Sequence, residues 1–332
     1  MSRVFVTGGA GYVGAVLVPR LLEAGHDVTA LDLFLFGDHL PADSDRLRRI
    51  TGDIRDEALL RRALPGHETI IHLACISNDP SFALDPRLSR TINFECFEPM
   101  VMAAREAGVR RFIYASTSSV YGVSDAENVT EEHPLVPLTD YNKYKGLCEP
   151  LLFKQQAPGF TTVTIRPATV CGYSPRLRLD LTVNILTMSA VVNRKITVFG
   201  GSQRRPNIHI DDVCDLYAML LEVPDGLIAG KTFNAGYQNH TVAEIAAIVR
   251  DVVSREVAGR EEVEIVTTPS DDLRSYHISS EKIRRELGFV PKRTIEDAVR
   301  DLCRAFAAGR VPDPVCAIEY YNVKAIQAAG LR

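Results

Sequence analysis

Three glycines spaced three residues apart constrain this chain most, and they stand near its start in the run Thr7–Gly14 (TGGAGYVG). The apolar run Val4–Val6 before them is typical of a buried parallel strand, and a helical pattern follows from Ala15 to Ala24. Small residues at such a turn let the backbone approach a pyrophosphate, while the helix N-terminus offers free N–H groups. The loop therefore predicts a dinucleotide-binding βαβ unit, and a purely structural glycine turn is the alternative.

Short apolar runs alternate with longer helical patterns through the first half of the chain. The strand-like runs are Val4–Val6, Val28–Leu31, Ile70–Leu73, Phe112–Tyr114 and Val163–Ile165. Alternation of this kind predicts βαβ units in a doubly wound parallel sheet. The predicted fold is therefore α/β, with a Rossmann-like doubly wound parallel sheet and a smaller, interleaved C-terminal α/β lobe for the substrate.

Prolines interrupt shorter elements after about residue 170, which marks the change between the two parts. Helical patterns continue at Leu181–Asn193, Asp212–Leu221, Val242–Val253 and Ile295–Ala307. The short run Thr232–Ala235 is expected to return to the main sheet. We expect a dinucleotide-binding domain over residues 1–175, with returning segments near 205–236, and a mainly substrate-binding lobe over residues 176–332.

Composition excludes several classes of protein. The 332 residues are 46% hydrophobic and 24% charged, and the net charge of −4 offers no basic footprint for nucleic acid or an anionic membrane. No apolar run approaches the ~20 residues of a membrane helix, and the first residues do not resemble a signal peptide. The seven cysteines are odd in number and lack metal-ligand spacing, so we expect reduced thiols, no metal site and a cytoplasmic location.

Two aspartates follow predicted strands on the side of the expected dinucleotide. Asp32 closes the second strand, where a carboxylate accepts hydrogen bonds from ribose hydroxyls and repels a 2′-phosphate, which favours NAD over NADP. Asp53 follows a third predicted strand, where the adenine edge would lie. Each aspartate could instead be a simple capping residue.

Tyr141 and Lys145 have a YxxxK spacing, which places both side chains on one face of a helix. A Lys ammonium beside a phenol lowers the pKa of the phenol from about 10, and oxidised nicotinamide would add positive charge. Such a phenolate can take a proton from a sugar hydroxyl while hydride leaves the same carbon. The hydroxyl cluster in Ser116–Gly122 lies at the carboxyl edge of the sheet, where ligands bind. A solvated helix face and a Ser/Thr-rich turn are the alternatives for each feature alone.

These motifs together resemble the extended short-chain dehydrogenases/reductases, specifically the nucleotide-sugar epimerase/dehydratase group, over nearly the whole chain. The resemblance rests on Thr7–Gly14, Asp32, HLA at His72–Ala74, STSSVYG at Ser116–Gly122, YNKYK at Tyr141–Lys145, RPATV at Arg166–Val170 and RRPNIHIDD at Arg204–Asp212. It implies NAD as cofactor, Thr117 as the catalytic hydroxyl, Tyr141 as the base and Lys145 as its partner. The cofactor contacts it implies are Gly8, Gly11, Tyr12, Val13, Gly14, Asp32, Asp53, Ile54, Leu73, Ala74, Asn93, Tyr141, Lys145 and Pro167.

One departure from the family pattern separates the possible reactions. The family's 4,6-dehydratases carry an acid or acid pair just after the catalytic Thr, where this chain has Ser118 and Ser119. We therefore expect C4 oxidation without elimination, and the simplest outcome is a 4-epimerase with a transient 4-keto intermediate. The segment Ser174–Asn184 is similar to a subgroup that oxidises C4 of GDP-heptoses, so an NDP-sugar 4-dehydrogenase or ketosugar reductase stays open. A 4,6-dehydratase and a non-catalytic NAD-binding protein are less favoured.

A nucleotide sugar brings a second pyrophosphate, which suits the planar guanidinium of Arg. The residues expected to contact the nucleotide sugar are Ser118, Ser119, Arg176, Asn184, Arg205 and Arg274. The resemblance also implies a homodimer through a four-helix bundle built from Phe97–Ala107 and Lys143–Gln155. Apolar residues there could equally belong to the core of one subunit; they include Met100, Val101, Leu147 and Leu151.

Overall fold

The computed structural model describes residues 1–42, 44–124, 126, 128–257, 262–269 and 275–331. The strands are β1 (Arg3–Thr7), β2 (Asp27–Asp32), β3 (Leu47–Thr51), β4 (Thr69–His72), β5 (Arg111–Ala115), β6 (Thr161–Pro167), β7 (Thr169–Cys171), β8 (Lys195–Phe199), β9 (Arg204–His209), β10 (Lys231–Ala235), β11 (Gln238–Thr241) and β12 (Glu264–Thr268). The helices are α1 (Gly14–Glu23), α2 (Glu57–Ala63), α3 (Asp79–Phe82), α4 (Pro86–Arg90), α5 (Phe97–Glu106), α6 (Asp140–Lys154), α7 (Thr182–Asn193), α8 (Ile210–Met219), α9 (Asp225–Ile228), α10 (Val242–Glu256), α11 (Glu281–Leu287), α12 (Ile295–Ala307) and α13 (Asn322–Ala329).

Seven strands form one parallel sheet in the order β10-β6-β5-β4-β1-β2-β3. Successive side chains of a strand point to opposite faces, and both faces of this sheet are buried. Val4 and Val6 of β1 join one core cluster, whereas Phe5 between them joins a second cluster on the other face. This two-sided burial is the reason that the strands read as continuous apolar runs, and it confirms the predicted doubly wound fold.

The second half of the chain adds two smaller sheets beside the main one. β9 lies between β7 and β11, and β8 pairs with β12. Helices α7, α10 and α12 supply most of a third core cluster around them. β10 pairs with β6 and places Phe233 opposite Ile165, which confirms that Thr232–Ala235 returns to the main sheet. A domain boundary at residue 175 stays a prediction.

The order of the main sheet places the functional loops together. β1 and β4 are neighbours, although β2 and β3 separate them along the chain, so the loops after β1, β4 and β5 share one edge. Ligands bind in open α/β sheets at this carboxyl edge. Within the described residues, no helix combines the length and the apolar character that spanning a membrane requires.

Candidate active site

The glycine loop turns sharply from β1 into α1 and leaves no room for side chains. Gly8 has a φ of +73°, and a Cβ at Gly14 would lie 2.4 Å from the carbonyl oxygens of Gly8 and Gly9. An added Cβ at Gly8 would lie 2.7 Å from the backbone nitrogen of Ala74. The bare backbone of the loop therefore lines a cavity at the N-terminal end of α1, as a pyrophosphate site requires.

Asp32 braces the glycine loop from the end of β2. Its two carboxylate oxygens accept hydrogen bonds from the backbone nitrogens of Ala10 and Phe34, each at 2.9 Å. Burial raises the pKa of the Asp32 carboxyl, and these backbone hydrogen bonds oppose the rise. The side chain also lines the cavity, so its remaining lone pairs can accept from a ribose.

Asp53 lies in the loop after β3 and is held by a guanidinium. Arg55 approaches both carboxylate oxygens, the shortest distance being 2.7 Å between Nη2 and Oδ2. Burial alone would raise the pKa of the Asp53 carboxyl. The pairing with Arg55 outweighs burial and lowers this pKa. The loop therefore presents a fixed, ionised carboxylate to the cavity.

A cavity of about 720 Å³ joins the glycine loop to the loops after β4 and β5. The predicted site residues that line it are Gly8, Gly11, Tyr12, Val13, Gly14, Asp32, Asp53, Ile54, Leu73, Ala74, Thr117, Ser118, Ser119, Tyr141, Lys145, Pro167, Arg176 and Arg205. One cavity is thus lined by both the predicted dinucleotide residues and the predicted catalytic residues. Arg274 lies outside the described residues.

Two predicted contacts, Asn93 and Asn184, lie behind the cavity wall. Asn93 is buried and exchanges hydrogen bonds with the backbone of Ile76, at 2.8 and 2.9 Å. Asn184 is fully buried; its Oδ1 accepts from the Gly172 nitrogen at 3.0 Å, and its Nδ2 donates to the carbonyl oxygen of Arg178 at 2.9 Å. Because these amides are satisfied by the protein itself, we assign both residues to shaping the wall.

The predicted catalytic residues lie on the loop after β5 and on the first turns of α6. The Thr139 hydroxyl caps α6, which places Tyr141 in the first turn and Lys145 one turn later. In the facing loop, the hydroxyls of Thr117 and Ser119 are 2.8 Å apart, and Ser119 donates to Oδ1 of Asn142. The phenol, the hydroxyls and the ammonium therefore line the same cavity.

The structure adds a second cation to the surroundings of Tyr141. Burial raises the pKa of its phenol well above the usual value. The Lys145 ammonium donates to the carbonyl oxygen of Ala115 and lies 4.6 Å from the centroid of the Tyr114 ring. Arg178 is the cation that opposes the rise in the pKa of Tyr141. The YxxxK spacing gave the right helix face, the role of Lys145 as the partner of Tyr141 stays a prediction, and the sequence did not indicate Arg178 as a second cation.

Replacing Arg178 with methionine is expected to move the pH dependence of kcat/KM to higher pH. A base acts when it is deprotonated, so activity rises through the pKa of the phenol, and loss of the Arg178 charge raises that pKa further. Arg178→Lys is the matched control, since it keeps the charge beside Asp180. Profiles of kcat/KM recorded with NAD bound, up to about pH 11, will test this, and a rise at the same pH in Arg178→Met and in the wild type would contradict it.

Sequence reasoning missed a buried ion pair behind the predicted catalytic loop (residues 116–122). Arg166 of β6 donates to both oxygens of Glu149 on α6, at 3.0 and 2.6 Å, and both side chains are almost fully buried. The same carboxylate accepts a hydrogen bond of 2.6 Å from Ser116, which precedes Thr117. The pair therefore ties α6 to the catalytic loop. The RPATV motif marked Arg166, but nothing in the sequence identified Glu149 as its partner.

The sequence also gave no signal for three further parts of the cavity wall. Cys75 and Asp79 come from the segment after β4, Asp180 lies beside Arg178, and residues 321–324 come from the C-terminal end of the described chain. Asp180 accepts from Nε of Arg178 at 2.9 Å. No sequence spacing relates these side chains to one another, because they reach the cavity from separate segments of the chain.

His209, Asp211 and Asp301 offer ligand atoms within 4.8 Å of one another. However, Asp211 is paired with Arg20 at 2.6 Å, and Nδ1 of His209 accepts from the Asp211 nitrogen at the start of α8. Asp301 is paired with Arg304. The group is held by partners within the chain, and we assign it a structural role.

Comparison with known proteins agrees with this geometry. A model of the NAD dependent epimerase/dehydratase family matches residues 4–236. The chain belongs to this family. The UDP-glucose 4-epimerase of Corynebacterium glutamicum is 29% identical over 320 residues, which cover 89% of this chain and 94% of that protein.

Solved structures of relatives share the fold over nearly their full length. The dTDP-glucose 4,6-dehydratase DesIV of Streptomyces venezuelae, with NAD and TYD bound, is 26% identical, with a TM-score of 0.82 over 93% of this chain and 98% of that one. The UDP-glucose 4-epimerase of Thermus thermophilus, in complex with NAD, is 25% identical, with a TM-score of 0.78 over 92% of this chain and 99% of that one. The predicted family and fold are confirmed.

The protein is thus an NAD-dependent enzyme of the epimerase/dehydratase type, and its residues fit the cofactor. The cradle formed by Gly8 and Gly14 would be filled by any Cβ. Asp32 stands at the end of β2, where it can accept from the adenosine ribose. Tyr141 and Lys145 line the opposite end of the same cavity, where the nicotinamide would lie.

Proposed function

We propose that this enzyme is an NAD-dependent nucleotide-sugar 4-epimerase that acts through a transient 4-keto intermediate. The observation that carries the proposal is the wall of the cavity around Thr117 and Tyr141. It offers hydroxyls and a phenol, and the family resemblance implies that Ser118 and Ser119 stand where the dehydratases carry acids. Elimination of water needs a general acid, whereas epimerisation needs only a base that returns its proton.

The carboxylates of the cavity support this choice. Those that line it in the described part of the chain are Asp32, Asp53, Asp79 and Asp180. Asp32 and Asp53 belong to the dinucleotide end, and Asp79 accepts a hydrogen bond of 2.6 Å from Thr139. Burial alone would raise the pKa of the Asp180 carboxyl, but the pair with Arg178 holds this pKa below its usual range. Asp180 is therefore ionised at neutral pH. A general acid at that pH would need a raised pKa.

The side chains of the site can perform both halves of an epimerisation. Bound NAD supplies a hydride acceptor that becomes the donor for the return step. Tyr141 takes the proton of the C4 hydroxyl in the first half and gives it back in the second. Thr117 and Ser119, linked at 2.8 Å, hold the C4 oxygen during the proton transfer. With NAD bound, hydride return to the other face of the 4-ketose would invert C4, and the residues that would hold the cofactor for it are the glycine loop, Asp32 and Lys145.

Nuclear magnetic resonance of products from a panel of NDP-hexoses and NDP-heptoses tests the proposal. We expect one member to reach an equilibrium mixture of its C4 epimers with no net change in NADH absorbance. A 4-keto-6-deoxy product would show a dehydratase. A keto sugar that accumulates with stoichiometric NADH would show a 4-dehydrogenase. Either result contradicts the proposal.

We also propose that the enzyme is a homodimer through α5 and α6. Met100 and Val101 are fully buried in the core of one subunit and are not available to a partner. Met102 and Leu147, in contrast, are about two-fifths exposed on these helices. Native mass spectrometry of the wild type and of Leu147→Glu tests this, and a monomeric wild type contradicts it.

A further inference from the structure

Arg176 is buried in the wall of the cavity with part of its guanidinium unpartnered. Only 3% of the residue is exposed. Nη2 donates to Oδ1 of Asn322, whereas Nε and Nη1 have no hydrogen-bond partner among the described residues. Buried donors are nearly always satisfied, because leaving them without an acceptor is costly. Two open donors on a buried cation therefore point to a ligand that accepts from them.

The neighbours of Arg176 lie on the dinucleotide side of the cavity. Its guanidinium carbon is 3.7 Å from the centroid of the Phe36 ring, in the loop that follows Asp32. Its charge also acts on Asp32 and on Tyr12 in the glycine loop. In doubly wound folds the first loop receives the pyrophosphate and the end of the second strand receives the ribose. These contacts differ from the sequence prediction, which assigned Arg176 to the nucleotide sugar.

The local electrostatics favour an anion beside this side chain. Burial lowers the pKa of the Arg176 guanidinium, and the nearby charge of Arg178 acts in the same direction. Asp180 is already paired with Arg178, at 2.9 Å. Among the described residues, no carboxylate lies at ion-pair distance from Arg176. A diphosphate in the cavity would supply the negative charge that this guanidinium lacks.

The C-terminal helix α13 fixes the position of this guanidinium. Asn322, at its first position, accepts from Arg176 and donates to the Ser77 hydroxyl at 2.8 Å. Ser77 belongs to the segment after β4, so a single amide links three separate parts of the cavity wall. Ile326, one turn later, is buried in the core cluster against which Phe36 packs. The helix thus closes the cavity over the same region.

We propose that Arg176 donates from Nε and Nη1 to oxygens of the diphosphate of the bound dinucleotide. Asn322 is the positioning residue that holds the guanidinium in place. Charge-assisted hydrogen bonds to phosphate are stronger than hydrogen bonds between neutral groups. Arg176 should therefore contribute to the binding affinity of the diphosphate and not to that of the adenosine.

Titration calorimetry of the full chain, freed of retained NAD, with ADP, adenosine, UDP and uridine tests the proposal. In Arg176→Met we expect affinity for ADP to fall about ten- to hundredfold, with affinity for adenosine changed less than about twofold. Arg176→Lys keeps a charge and should lose less. Thermal melting of each variant shows whether it is folded.

Three results would overturn the proposal. Equal losses for ADP and adenosine would show that Arg176 shapes the adenosine pocket. A loss confined to UDP would place Arg176 on the nucleotide sugar. No loss for any ligand would show that the open donors face no phosphate.

The role of Asn322 is tested by exchange of bound NAD for isotopically labelled NAD, followed by native mass spectrometry. Asn322→Ala is expected to speed the exchange by about fivefold or more, because the guanidinium loses its anchor. Gln327→Ala is the matched control, since Gln327 lies on the exposed face of the same helix. Equal exchange rates in the two variants would show that α13 does not position Arg176 for the cofactor.

Discussion

Replacing Tyr141 with phenylalanine is expected to lower kcat by about 10³-fold while NAD remains bound. The phenol is the group at the catalytic end of the cavity that can take a proton from a sugar hydroxyl, and phenylalanine keeps its ring but not its oxygen. The ring still fills the same space in the cavity wall, so the fold and the dinucleotide site should persist. Steady-state kinetics and the NAD content of the purified variant measure both effects.

Tyr144→Phe is the matched control for this prediction. Tyr144 lies on the same helix, but its ring packs against Phe82 and Phe94, with centroids 5.7 and 5.3 Å away. Its hydroxyl is not part of the catalytic end, so kcat should stay within about twofold of the wild type. A Tyr141→Phe enzyme that retains a tenth or more of wild-type kcat would refute the assignment of the base.

Glu149→Gln is expected to lower the free energy of unfolding by about 3–5 kcal/mol. The substitution leaves the Arg166 guanidinium buried without its counter-charge, which costs far more than the loss of an exposed pair. It also weakens the hydrogen bond from Ser116, so kcat should fall as well. Chemical denaturation at saturating NAD measures the stability, since bound ligand shifts the unfolding midpoint and must be held constant.

Two comparisons isolate the effect of this ion pair. Glu57→Gln removes one partner of an exposed pair with Arg61 on α2, and we expect no resolvable change in the free energy of unfolding, because solvent screens this pair. The double variant Glu149→Leu/Arg166→Met removes both charges and should be less destabilised than the sum of the single variants. Additive losses in the double variant would show that the two side chains are not energetically coupled.

Local features of the sequence were sufficient for the main sheet and the dinucleotide loop. The run Val4–Val6 predicts β1 because a strand buried on both faces is apolar at every position, and the glycines after it permit the bare turn. The N-terminal part of α6 follows from similarly local signals, since i and i+4 residues share a face. Such features require only a few consecutive residues, so no knowledge of the partner segments is needed.

The partners of individual side chains were decided by the tertiary structure. The YxxxK spacing placed Tyr141 and Lys145 correctly on α6, but it could not show that the ammonium donates to Ala115 while Arg178 acts on the phenol. Asn184 and Asn93 carry polar groups suited to a ligand, yet backbone groups brought near them by the fold satisfy those amides. A residue type states what a side chain can bind, and the packed chain decides what it does bind.

The sequence by itself determined the sheet, the bare phosphate loop and the chemical character of the catalytic groups, because each depends on backbone conformation and burial within one short segment. Only the tertiary structure decided which charge faces which group: Arg176 and Asn322 are 146 positions apart, and Glu149 meets Arg166 across a helix and a strand. Electrostatic and hydrogen-bond energies depend on distances of a few ångströms in space, and those distances exist only once the layers have packed.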